Sequence, residues 1–103
     1  MIKKRKIGKT NLEVTELGMG TAPIGGWPIA INPDQAYETL LTAWSKGIRY
    51  FDTAPLYGSG MAEERLGNFL KNYKKEEFIV STKVGRLVTD SKFVNNKFKG
   101  QDP

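Results

Sequence analysis

An acid, a phenol and an amine are spaced along this chain so that parallel strands would bring them together. Asp52 leaves the end of an apolar run, Ile48 to Phe51, that reads as a buried strand. Tyr57 follows on a loop bounded by Pro55 and Gly58. Lys83 closes a second run of buried residue types, Phe78 to Thr82. In a parallel α/β barrel the strand C-termini converge on one face, and that face carries the chemistry. A lysine beside a phenol favours the phenolate, while a carboxylate holds and orients the lysine. The expected product is a tyrosine that exchanges a proton with a carbonyl or hydroxyl oxygen. Each residue also has a plainer reading. Tyr57 would then be a rim aromatic, Lys83 a strand-end side chain in solvent, and Asp52 a cap on the amides near Ala54.

The elements that must position these residues repeat. Strand candidates begin near Leu17, Ile48 and Phe78, a period of about 30 residues, with a helical pattern in each gap. Strand–helix repeats of this length are βαβ units of TIM barrels or doubly wound sheets. The expectation is three parallel strands in the order 1-2-3, at 17–21, 48–52 and 78–83, with right-handed crossovers. Ahead of them, short alternating runs around Lys9-Thr10-Asn11 suggest a hairpin over residues 1–16.

Residues 22–31 are a Pro- and Gly-rich loop carrying Trp27. Asn32 is a good N-cap, with Pro33 at the first helical position and Gln35 at the third. The first helix sets Ala36, Tyr37, Leu40, Leu41 and Trp44 on one stripe and stops near Gly47. The second runs from about Met61 to Asn72, with Glu63 and Glu64 in its first turn and a stripe of Leu66, Phe69, Leu70 and Tyr73. Periodicity ends after Arg86, and residues 89–103 read as an irregular tail.

Composition narrows the function classes. The chain has 103 residues and a net charge of +5, with much of the excess at Lys3 to Lys6 and at Lys92, Lys97 and Lys99. No aromatic residue interleaves the first cluster, so solvated ends are favoured over a nucleic-acid footprint. The absence of cysteine excludes disulfides and thiol catalysis. Basic N-terminal residues without an apolar run behind them do not make a secretory signal, and no segment approaches transmembrane length. A cytoplasmic protein is the default expectation. No metal site is expected.

With these residues assembled, the chain resembles the N-terminal part of an aldo-keto reductase. The matching segments are Gly8 to Thr21, Gly47 to Gly58, Glu64 to Gly67 and Ser81 to Arg86, covering most of residues 5–88. Thr21 to Gly26 and Ser81 to Leu87 further resemble the branch of sugar and pyridoxal dehydrogenases. The resemblance implies an α/β fold, the N-terminal part of a (β/α)8 TIM barrel, with the hairpin plugging its bottom. It implies NAD- or NADP-dependent chemistry on a small carbonyl compound or a sugar hydroxyl. It assigns catalysis to Asp52, Tyr57 and Lys83, cofactor contacts to Gly20, Thr21 and Asp52, and a substrate contact to Trp27.

The family also uses a histidine after its fourth strand, and this chain contains none. A barrel of this kind typically takes about 250 residues. The expectation is therefore an incomplete and, by itself, inactive fragment. The alternative function is a non-catalytic relative that keeps the barrel and binds a partner. The substrate, the choice of NAD or NADP and the oligomeric state are left open.

Overall fold

A computed structural model describes residues 2–85. The expected tail at 89–103 and Arg86 lie outside the described residues. The chain opens with a hairpin of β1 (Lys4–Lys6) and β2 (Glu13–Thr15), antiparallel with Arg5 opposite Val14. Ile7 and Leu12 close the turn through a backbone bond of 2.9 Å. Arg5 pairs with Glu16 alongside.

A second sheet holds β3 (Met19–Gly20), β4 (Tyr50–Asp52) and β5 (Ile79–Ser81), in that order and all parallel. The expected adjacency and direction are borne out. The strands are shorter than the expected spans, because ladder pairing stops at Gly20, Asp52 and Ser81. Lys83 therefore stands beyond the last paired residue.

Helix α1 (Pro33–Ser45) links β3 to β4, and α2 (Met61–Leu70) links β4 to β5. The α1 cap is reciprocal: the Asn32 side chain accepts from the Gln35 amide at 2.8 Å, and the Gln35 side chain accepts from the Asn32 amide at 3.0 Å. At the other end the Ile48 amide bonds back to the Ala43 carbonyl, which closes the helix as Gly47 predicts. α2 ends at Leu70, one turn's fraction short of the expected Asn72.

The core lies between this sheet and the helices. Phe51 of β4 packs with Ile24, with Ala36 and Leu40 of α1, and with Ala62, Leu66, Phe69 and Leu70 of α2. Tyr37 and Leu41, placed on the α1 stripe by periodicity, remain partly in solvent. Trp44 stacks on Tyr73 with centroids 3.9 Å apart, and the Arg49 guanidinium sits 3.7 Å from the Trp44 ring.

Because side chains alternate across a strand, burial of Phe51 toward the helices sends Tyr50 and Asp52 to the opposite face of the sheet. That face carries the site. The hairpin is tied to the other end of the strands, where the Arg49 amide donates to the Thr15 hydroxyl at 3.2 Å. Among the described residues no helix is long and apolar enough to cross a membrane.

Candidate active site

Three strand ends meet here. Past the ladder, the Thr21 amide still bonds the Asp52 carbonyl at 3.0 Å, and the Thr53 amide bonds the Ser81 carbonyl at 2.8 Å. These bonds carry the register one residue beyond β3 and β4. They bring Lys83 to Asp52: Lys83 Nζ donates to Asp52 Oδ2 at 2.9 Å and to the Thr53 carbonyl at 3.0 Å. An ammonium has three donors. With two committed, the side chain is fixed and the third remains.

Tyr57 lies next to it, with Lys83 Nζ 5.1 Å from the ring centroid. The three expected catalytic residues are thus brought together. The capping role for Asp52 is not what the structure uses, since its carboxylate oxygens go to Ser81 and Lys83.

Both members of the Asp52–Lys83 pair are about half exposed, at 42% and 49% of their side-chain surface. Exposed pairs add little stability, so this one serves orientation. The Ser81 hydroxyl, and next Lys83, hold the Asp52 carboxyl below its ordinary value against an opposing effect of burial. The hydrogen bond to Asp52 raises Lys83 above the usual lysine value, with a smaller contribution from Tyr57.

Tyr57 is held by its backbone. Its amide bonds the Ala54 carbonyl at 3.2 Å, and its carbonyl accepts from the Ala62 amide at 3.1 Å, at the start of α2. The next residue, Gly58, has φ +64, and a Cβ there would stand 2.2 Å from the Gly25 carbonyl oxygen. The tyrosine loop and the Pro23–Gly25 turn therefore interlock, backbone on backbone.

Arg65 reinforces that contact from α2. Its guanidinium donates to the Ile24 carbonyl at 2.7 Å and the Ile31 carbonyl at 3.2 Å. On sequence alone Glu64 and Arg65 read as residues of surface ion pairs on the second helix. The structure instead makes Arg65 the clamp on the loop that carries Trp27.

Trp27 itself is 52% exposed and so is not a core residue. Gly20 pairs with Asp52 in register and therefore shares its face. A Cβ at Gly20 would meet no atom within 4 Å, which leaves open floor beside the carboxylate. Thr21 is fully buried, and its hydroxyl donates to the Asp52 carbonyl at 2.9 Å. It braces two strand ends.

Sequence reasoning did not single out Ser81 or Tyr50. Ser81 Oγ donates to Asp52 Oδ1 at 2.6 Å and lies 3.1 Å from the Tyr50 hydroxyl. The available signal was the period of two: Tyr50 precedes Asp52, and Ser81 precedes Lys83, by one strand repeat.

Residues 16–101 match the model of the Aldo/keto reductase family. The chain belongs to that family. It is 48% identical over 89 residues to pyridoxal 4-dehydrogenase of Microbacterium luteolum, covering 86% of this chain and 26% of that protein. It is 49% identical over 77 residues to D-threo-aldose 1-dehydrogenase of a Pseudomonas species, covering 75% of this chain and 23% of that protein. Among solved structures, the glycerol dehydrogenase of Gluconobacter oxydans superposes with a TM-score of 0.65 at 34% identity, over 80% of this chain and 25% of that one. The chain thus spans about a quarter of the length of the curated relatives it matches. The resemblance read from the motifs, including its sugar and pyridoxal dehydrogenase branch, is borne out.

Proposed function

We propose that this chain supplies the proton-transfer half of an NAD(P)-dependent oxidoreductase site, within a (β/α)8 barrel of which β3, β4 and β5 are the first three strands. The substrate class is a small aldehyde, ketone or aldose. The observation that carries the reading is the placement of Lys83, bonded to Asp52 and set beside Tyr57, on one open sheet face. The relatives named above act, by their names, on pyridoxal and on an aldose, which supports a carbonyl or sugar hydroxyl as the reacting group.

The residues present fit a nicotinamide ring. Gly20 leaves open floor at the end of β3, and Asp52 stands beside it on the same face. The ring, when bound, takes or supplies the hydride. Tyr57 handles the proton. In oxidation its phenolate takes the hydroxyl proton of the substrate as the carbon loses hydride. In reduction the phenol gives a proton to the carbonyl oxygen as the carbon gains hydride. Lys83 supplies the positive charge that a phenolate oxygen needs when its proton has left. Asp52 holds Lys83 in place. Thr21 sets the strand end, and Trp27, exposed on the loop after β3, is assigned to the substrate.

The described residues wall the site on one side only. Positioning of cofactor and substrate can supply about 7–11 kcal/mol of a barrier, so the isolated chain is expected to show no turnover. The test joins residues 1–85 in frame to the remaining strands of the D-threo-aldose dehydrogenase and follows cofactor absorbance with NAD and NADP. General acid–base groups contribute typically about 10²–10⁴-fold, so Tyr57→Phe should cost that much turnover while cofactor affinity, read by fluorescence, stays close to the parent chimera. Full turnover in Tyr57→Phe would end the proposal.

A further inference from the structure

We infer that Ser81 and Tyr50 form a hydrogen-bonded strut that aims the Asp52 carboxylate at Lys83, making both of them positioning residues. The inference rests on the reading of the site just given for its functional meaning, and on geometry alone for its existence.

The direction of each bond follows from proton counting. An ionised carboxylate only accepts, and a serine hydroxyl has one proton. The 2.6 Å contact from Ser81 Oγ to Asp52 Oδ1 uses that proton. The Tyr50 hydroxyl, 3.1 Å from Ser81 Oγ, must then be the donor there. The chain of donors runs Tyr50 to Ser81 to Asp52, and Lys83 donates to the other carboxylate oxygen at 2.9 Å.

Each link stands on a different strand partner. The register pairs Asp52 with Ser81 across β4 and β5. The Tyr50 ring rests on Gly18, the residue that leads into β3, where a Cβ would come within 2.8 Å of Tyr50 Cδ2. The strut is therefore held by β4, by β5 and by the chain entering β3.

Its effect is on the carboxylate's rotation. The terminal torsion of aspartate is broad and two-fold, and this side chain is 42% exposed, so water competes for both oxygens. A single bond from Lys83 leaves the plane free to swing about the bonded oxygen. A second, short, charge-assisted bond to the far oxygen stops that swing. Lys83 is then presented to Tyr57 in one place. The Ser81 hydrogen bond, the largest single cause of the lowered Asp52 carboxyl, agrees with this. The groups that face Asp52 are Ser81 and Lys83 from β5 and the chain just beyond it, and Tyr50 from its own strand; Tyr57, on the following loop, reaches it through Lys83.

The experiment titrates the aspartate carboxylates of the 103-residue chain by carbon-detected NMR and needs neither cofactor nor turnover. Ser81→Ala should move the Asp52 midpoint upward, and Ser81→Thr should return it toward the parent. Tyr50→Phe should move it upward by less, since Phe keeps the ring on Gly18 and removes only the donor to Ser81. An unmoved Asp52 midpoint in Ser81→Ala, with unchanged far-ultraviolet circular dichroism, overturns the strut. If Ser81→Ala does not fold, Tyr50→Phe decides alone, and an unmoved midpoint there overturns it equally. A moved midpoint together with full turnover in the Tyr57→Phe chimera keeps the strut and sinks the proposed function.

Discussion

Replacing Gly58 by alanine should unlock the tyrosine loop, and Gly60 supplies the control. At Gly58 φ is +64 and at Gly60 it is +100, both in the left-handed region. Left-handed backbone costs an L residue about 1–2 kcal/mol, so backbone strain alone makes the two changes comparable. Contact separates them. The Cβ at Gly58 would stand 2.2 Å from the Gly25 carbonyl oxygen and 3.0 Å from Met61 Cβ, whereas at Gly60 no atom lies within 4 Å. Unstrained heavy atoms sit about 3.5–4.0 Å apart, so Gly58→Ala overlaps a carbonyl that cannot rotate aside. Overpacking costs typically about 1–3 kcal/mol. The sum is about 2–5 kcal/mol for Gly58→Ala against about 1–2 kcal/mol for Gly60→Ala. Urea unfolding of the chain, followed by circular dichroism, reads the gap. With a slope of about 1–3 kcal/mol per molar urea, the Gly58→Ala midpoint should fall below that of Gly60→Ala by about 1 M. A Gly60→Ala midpoint equal to or lower than that of Gly58→Ala would refute the interlock.

Two further outcomes follow from the same contacts. Arg65→Ala should cost about 1–2 kcal/mol, the value of hydrogen bonds from a charged donor discounted for partial exposure, and should speed amide exchange in residues 22–31. Unchanged exchange there would show that Arg65 does not clamp the loop. The Asp52–Lys83 pair should also stabilise the chain only within a window of pH. The Asp52 carboxyl titrates lower when folded, so its contribution is present above its ordinary value of 3.8 and drains away as pH falls through the shifted value. Lys83 titrates higher when folded, so its contribution is present below 10.5 and is lost as pH rises beyond it. Urea midpoints of the parent and Asp52→Asn should converge at both extremes, and a constant gap from pH 2 to pH 12, about the full range of ordinary carboxylate and lysine titration, would contradict the pairing.

The order of elements was legible because each sequence signal had one physical meaning. Asn32, Pro33 and Gln35 specify a capped start, and the structure bonds them reciprocally. Apolar runs ending at Asp52 and near Lys83 specify strands whose ends share a face, although β5 is not buried as its residue types suggest and Val80 at its centre stays exposed. What could not be read depends on register and on distant backbone. Ser81 meets Asp52 only because the ladder sets them opposite each other. Arg65 meets carbonyls 41 and 34 residues earlier, and no local pattern marks a carbonyl as needing a partner. Tyr37 and Leu41 failed as core residues for a similar reason. Periodicity gives a helix its apolar arc, but the width actually covered is set by its neighbours.

The placement of the two tryptophans gives the chain two optical reporters in unlike surroundings. Trp27 is 52% exposed on the loop leaving β3, while Trp44 is stacked against Tyr73 at 3.9 Å beside the Arg49 guanidinium. Emission from the first is open to dissolved quenchers such as iodide and acrylamide. Emission from the second, partly buried against the core, is less open to them until the helices part from the sheet. One excitation thus yields two colours, one following arrivals at the loop and the other the integrity of the layer beneath it.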